Sequence, residues 1–194
     1  MTPEVLQKIL HENLKGFKLT DDYGQRSVGD KIEYECSNIS KRYFGDFHID
    51  AKSKRSIEDF SIVKNNQYNF FDVKTHYVQD VNGFSMPNLI SVKRLKKLLE
   101  TNSQSLSYIF VDYTRKGGNV IIEDVIVKYI WELDWSILSI GALGKGQLQI
   151  KDANKKLTFT CIGKQKWFEI LKSRVNEFYQ KEILKINKEL KSWI

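Results

Sequence analysis

Three side chains near the middle of this sequence have the types and spacing to hold a hard cation beside a phosphate. Asp59 precedes Asp72 by thirteen residues, and Asp72 lies in the run Phe71-Asp72-Val73-Lys74-Thr75. Hydrolysis of a phosphodiester needs oxygen ligands around Mg²⁺ and a positioned water. Two carboxylates on adjacent strands can supply the ligands, while a neighbouring lysine orients the water and stabilises its deprotonated form. Strand alternation puts Asp72 and Lys74 on one face and Phe71, Val73 and Thr75 on the other. A charged pair set into an apolar strand is costly to desolvate, so its presence there calls for a task.

The string acid-any-Lys is weak alone and occurs three times, at Asp50-Ala51-Lys52, Asp72-Val73-Lys74 and Glu189-Leu190-Lys191. Only the middle copy lies within an apolar strand that follows a second strand bearing an Asp. The competing reading is an exposed cross-strand ion pair. His76 shares the face of Asp72 and Lys74 and is placed to touch phosphate or simply to end the strand. His11 and His48 carry no functional claim.

The elements that must position these groups follow from periodicity. Residues 57–63 and 68–75 form two β-rich runs across Lys64-Asn65-Asn66-Gln67, a hairpin pattern. Upstream, Thr2 as N-cap and Pro3 start a helix with Val5, Leu6, Ile9, Leu10 and Leu14 inward. A loop over 21–29 leads to a second helix over 29–43 that turns Ile32, Cys36, Ile39 and Tyr43 to the core. After a polar stretch, Ser91 caps a helix with Val92, Leu95, Leu98 and Leu99 inward and Lys93, Arg94, Lys96 and Lys97 outward. Strands are expected over 107–113 and 120–129, a short helix over 132–140, and a strand pair over 148–151 and 157–161. From about residue 164 a long amphipathic helix carries Trp167, Leu171, Val175, Phe178, Ile183, Ile186 and Leu190. The sum is one α/β domain over residues 1–194, with a central mixed β-sheet flanked by α-helices.

Composition agrees with a nucleic-acid partner. Thirty-one Lys and Arg against twenty-four Asp and Glu leave a net charge of +7, which favours polyanions through phosphate contacts. No uninterrupted apolar run of about 18 residues marks a membrane span. The start lacks the order of a secretory signal, and Cys36 and Cys161 are expected as free, buried thiols of a reducing cytoplasmic compartment. Their number and spacing exclude a structural zinc site.

Asp59, Asp72, Val73-Lys74-Thr75 and their spacing resemble the signature of the PD-(D/E)XK nucleases, with Glu58 where the family name has Pro. The run from Phe71 to Thr75, followed by Pro87-Asn88-Leu89-Ile90-Ser91, is similar to the HincII/EcoRV-like branch of restriction endonucleases. The helix beginning Gly29-Asp30-Lys31-Ile32-Glu33 and the segment Gln147-Leu148-Gln149-Ile150-Lys151 fall in the same order. The resemblance implies a restriction-endonuclease-like core, with Asp59, Asp72 and the Val73 carbonyl as Mg²⁺ ligands. Lys74 would position the nucleophilic water, and Glu33 would serve as helper acid, with Glu35 its competitor. The implied reaction leaves a 5′-phosphate and a 3′-hydroxyl. A homodimer cutting a two-fold symmetric duplex site, as a type II restriction enzyme of a prokaryotic cell, is the expected setting.

DNA contacts are expected from His76, from Lys93, Arg94, Lys96 and Lys97 along a backbone groove, and from the alternating Gln147, Gln149 and Lys151. Glutamine can read an adenine edge through two hydrogen bonds. The loop over 79–88 could also reach DNA. Two alternatives stay open: a repair or recombination nuclease acting on structured DNA, and a non-catalytic DNA-binding protein on a decayed nuclease fold. A basic protein without a nucleic-acid role is the remaining case.

Overall fold

The computed structural model describes residues 2–15, 17, 19–20, 24–53, 56–78, 88–141, 146–152 and 156–193. Helix α1 (Pro3–Leu14) and the short strand β1 (Leu19–Thr20) precede helix α2 (Gln25–Phe44) and strand β2 (His48–Asp50). Strands β3 (Phe60–Lys64) and β4 (Gln67–Tyr77) form the hairpin, followed by β5 (Asn88–Ser91) and α3 (Val92–Leu99). Two long strands, β6 (Gln104–Lys116) and β7 (Asn119–Tyr129), precede β8 (Leu138–Gly141), β9 (Gln147–Ile150) and helix α4 (Lys164–Lys191).

Alternation along β6 divides the core in two. Its odd-numbered Ile109, Val111 and Tyr113 pack with α1, α2 and the inward residues of β3, β4 and β7. Its even-numbered Leu106, Tyr108 and Phe110 pack with α3, the second sheet and the start of α4. The main sheet has the order β1-β7-β6-β4-β3-β2 and the second the order β5-β9-β8. The β4–β6 pair is parallel and its neighbours are antiparallel. This is the expected mixed sheet with helices on both faces. Leu6, Leu10 and Leu14 on α1, and Val28, Ile32, Cys36 and Ile39 on α2, are buried. Each fully buried aliphatic side chain contributes about 1.5–3 kcal/mol of transfer free energy.

Several local expectations are corrected. Residues 132–140 are not helical: a single 3₁₀ turn over Ile130–Glu132 leads into β8. There the Asp134 carboxylate accepts the Ser136 N–H at 2.8 Å, an Asx turn that competes with helix. The 157–161 segment does not pair with β9, which lies between β5 and β8; it makes only the bridge Leu133–Phe159. Val5 and Tyr43 face outward, and Cys161 is exposed while Cys36 is buried. On α4 only Trp167, Phe168 and Leu171 are buried; Ile183, Ile186 and Leu190 stand in the open. The loop over 79–88 lies outside the described residues except for Asn88, as do residues 21–23 of the earlier loop.

Candidate active site

The hairpin turn fixes the register on which the site depends. Asn65 and Asn66 both adopt positive φ, 52° and 57°, as a two-residue type I′ connection requires. Phe60 then pairs with Phe71. Asp59 falls one residue before β3 rather than within it. Its N–H still donates to the Phe71 carbonyl at 2.8 Å, and its own carbonyl accepts from Ala51 N–H at 3.2 Å. Beyond this point β4 continues without β3 beside it. The Asp59 carboxylate takes the place of the missing strand, its Oδ2 accepting the Val73 N–H at 2.6 Å. Carbonyl and N–H of one strand residue point to the same edge, so the Val73 carbonyl faces this gap.

Asp72 and Lys74 leave β4 on the opposite face from Phe71 and Val73, above Tyr108 and Phe110 of the parallel neighbour. Lys74 Nζ lies 2.6 Å from Asp72 Oδ2, with side-chain exposures of 24% and 15%. The pair is therefore not a solvated surface ion pair, and it runs along one strand rather than across two. The ammonium stands off the hydrogen-bond direction, so Asp72 Oδ2 has a close cation but no directed donor. Tyr108 is fully buried and its hydroxyl has no hydrogen-bond partner among the described residues.

The helper acid arrives from α2. Gly29 and Glu33 are one helical step apart on the same side of that helix. A methyl group at Gly29 would stand 3.0 Å from Thr75 Oγ1, so the bare glycine lets α2 close on β4. Glu33 then meets Asp59. Burial, followed by the charge of Asp59 and a hydrogen bond with it, pushes the Glu33 carboxyl up to about 7. Burial also raises Asp72 to about 7, against the pull of Lys74 and with the charges of Asp59 and Glu58 adding to it. Asp59 is raised by burial and held back by the Val73 N–H and Lys74. Three mutually repelling acids in one partly dry pocket are the arrangement a bound cation would relieve.

Among the described residues no three His, Cys, Asp or Glu side chains are grouped to hold an ion by themselves. Two carboxylates and one carbonyl, completed by water and phosphate oxygens, fall short of that number and suit a hard cation such as Mg²⁺. The poorly directed Asp72 Oδ2 and the gap-facing Val73 carbonyl fit such a set.

The other expected contacts scatter. His76 lies farther along the face of Asp72 and Lys74, its Nδ1 3.1 Å from Asp112 Oδ1, while its buried Nε2 has no partner among the described residues. Lys93 and Lys96 border an apolar groove between α3 and α4, whereas Arg94 N–H joins the Ser91 cap at 3.4 Å. Gln147 and Gln149 alternate with buried Leu148 and Ile150. The Gln149 amide donates to Asn88 Oδ1 at 2.5 Å and lies across Gly141, where any side chain would overlap it. Lys151 follows β9 and is tied to the Ser136 carbonyl at 2.9 Å. Asp112 and Tyr108 were not singled out in the sequence, because each meets its neighbour through the parallel register of β4 with β6.

No family model and no curated protein matches this chain. A search of solved structures finds the NlaIV restriction endonuclease, at 16% identity and a TM-score of 0.59, covering 91% of this chain and 79% of that one. A likeness of this kind shows the fold: the chain has a restriction-endonuclease-like core.

Proposed function

We propose that this restriction-endonuclease-like chain is a Mg²⁺-dependent DNA endonuclease, and within that class a type II restriction enzyme akin to the HincII/EcoRV-like branch, acting as a homodimer. The observation that carries this reading is the convergence of Glu33, Asp59, Asp72 and Lys74 where β4 outruns β3. Asp59, Asp72 and the Val73 carbonyl would hold the ion, which supplies charge neutralisation at the scissile phosphate and acidifies water. Lys74 directs the attacking water and stabilises negative charge on the phosphate. Its ammonium is held by Asp72 on the face of β4 that stands over Tyr108 and Phe110. Glu33 acts on Asp59 through their hydrogen bond and takes up a proton when the ion is absent.

Phosphate contacts are assigned to His76, held by Asp112, and to Arg94. Lys93 is placed with the α3–α4 groove. Base contact is assigned to the face bearing Gln147 and Gln149, with Lys151 at its end; Asn88 orients the Gln149 amide in advance. Lys74→Ala tests the assignment. It should lower the cleavage rate by roughly 10²–10⁴-fold while duplex binding, read by fluorescence anisotropy in Ca²⁺, stays within a few-fold. Normal cutting by this variant would overturn the site.

A further inference from the structure

Helix α4 is a single uninterrupted helix whose two halves meet different surroundings. Phe168, Leu171 and Val175 form, with Val92 of α3, the floor of an apolar groove bordered by Lys93, Lys96 and Lys172. The same stripe then leaves the body of the protein. Ile183, Ile186 and Leu190 are 50%, 55% and 57% exposed, and Trp193 just past the helix is 83% exposed. By helical periodicity Phe168, Val175, Tyr179, Ile186 and Leu190 share one face, so groove and bare stripe are one continuous apolar surface. Single exposed apolar residues are ordinary, but a run of this length marks an interaction surface.

The outer turns of α4 cannot fold back into the groove beside their own helix. Leu190 lies nineteen residues beyond Leu171 on one unbroken helix, roughly 28 Å along its axis. A second copy fits on both counts. The charged side chains at the described groove border are Lys93, Lys96 and Lys172, with Lys96 3.8 Å from Glu100. In the tail, Glu182 and Glu189 flank the stripe, Lys181 and Lys188 project from the far side of the helix, and Lys185 lies beside Glu182. Glu182 meets Lys185 at 2.6 Å within its own chain, so among the described residues Glu189 is the acid beside the stripe without an ion-pair partner.

We infer that two copies associate antiparallel through α4, the tail of each filling the basic-edged α3–α4 groove of the other, a self-complementary two-fold contact. This names the surface of the homodimer proposed above, rests on that part of the reading, and is tested without DNA so that its failure and the failure of the nuclease assignment are distinguishable.

Light scattering of the eluting protein should give twice the chain's 22.7 kDa. Ile186→Glu with Leu190→Glu, at sites too exposed to unsettle the fold, should raise the dimer dissociation constant by roughly 100-fold or more with an unchanged circular dichroism spectrum. Lys96→Glu with Lys172→Glu should weaken the dimer, as should Glu182→Lys with Glu189→Lys, and all four together should restore it. A monomeric parent chain, a dimer indifferent to the Glu substitutions, or flotation of the parent chain but not the Glu variant with phosphatidylserine vesicles would overturn the proposal.

Discussion

Asp59 is held by the Val73 N–H at 2.6 Å, a bond to its carboxylate that an amide oxygen could equally accept. Asp59→Asn therefore keeps the acceptor and removes one of three mutually repelling charges. Cleavage should fall by roughly 10²-fold or more, while thermal stability without metal holds or rises; a variant that unfolds would show Asp59 to be chiefly structural. Glu33 permits a test by pH. Its folded carboxyl sits at about 7 against an ordinary 4.5, because burial and Asp59 disfavour its charge. A raised acid binds its proton more tightly in the folded state, so its contribution to stability is complete below about pH 4.5 and is lost as pH rises through about 7. In EDTA the melting temperature should decline across that window, and Glu33→Gln should flatten the decline by a few degrees. Mg²⁺, which favours the ionised acids, should raise the melting temperature of the parent chain more above pH 7 than below it. An equal gain at both would argue against ion binding by these groups.

At the scale of elements, the site depends on α2 lying close against β4. Gly29→Val places branched carbons where even a methyl already stands 3.0 Å from Thr75 Oγ1. The helix must shift and carry Glu33 away from Asp59. Urea unfolding should report a loss of about 1–3 kcal/mol, and cleavage should fall with it; an unchanged midpoint would show that the contact has slack. The β3–β4 hairpin, α1, α2, α3 and their buried stripes were legible, since each is specified by turn residues and spacing within a short window. Asp59, Asp72 and Lys74 were legible as candidates from the hairpin, whereas Glu33 entered only through the family resemblance. The partners of β9 were not legible, because β5 lies some sixty residues away in sequence and no local pattern announces the pairing. Tyr108 beside Asp72 and Asp112 beside His76 depend on the parallel register of β4 with β6. His48 carried no functional claim, and it proves a buried staple: its ring nitrogens meet Ser40 Oγ and Asp50 Oδ1, each at 3.0 Å, joining α2 to β2.

For the whole molecule, two layers of core grip the main sheet, and one open edge of β4 is left for chemistry. The terminal helix is anchored by Trp167, wholly buried, with its Nε1 donating to the Leu133 carbonyl at 2.9 Å and its ring stacked 4.9 Å from Trp135. Its outer half carries an apolar stripe that the described residues leave uncovered. Amphipathicity specifies that a face will be buried, not which molecule buries it. Two copies joined through these helices would present two equivalent sites, as cutting both strands of a symmetric duplex requires.

The central claim is that the acids and the lysine at the edge of β4 cut duplex DNA with a divalent ion. The direct measurement is incubation of the purified chain with a long, unmodified duplex of known sequence, with Mg²⁺ and with EDTA in parallel. Discrete Mg²⁺-dependent fragments bearing 5′-phosphate ends are the predicted result, and their termini would give the recognised site. Retained DNA binding with no cutting of several such duplexes in Mg²⁺ would contradict the account.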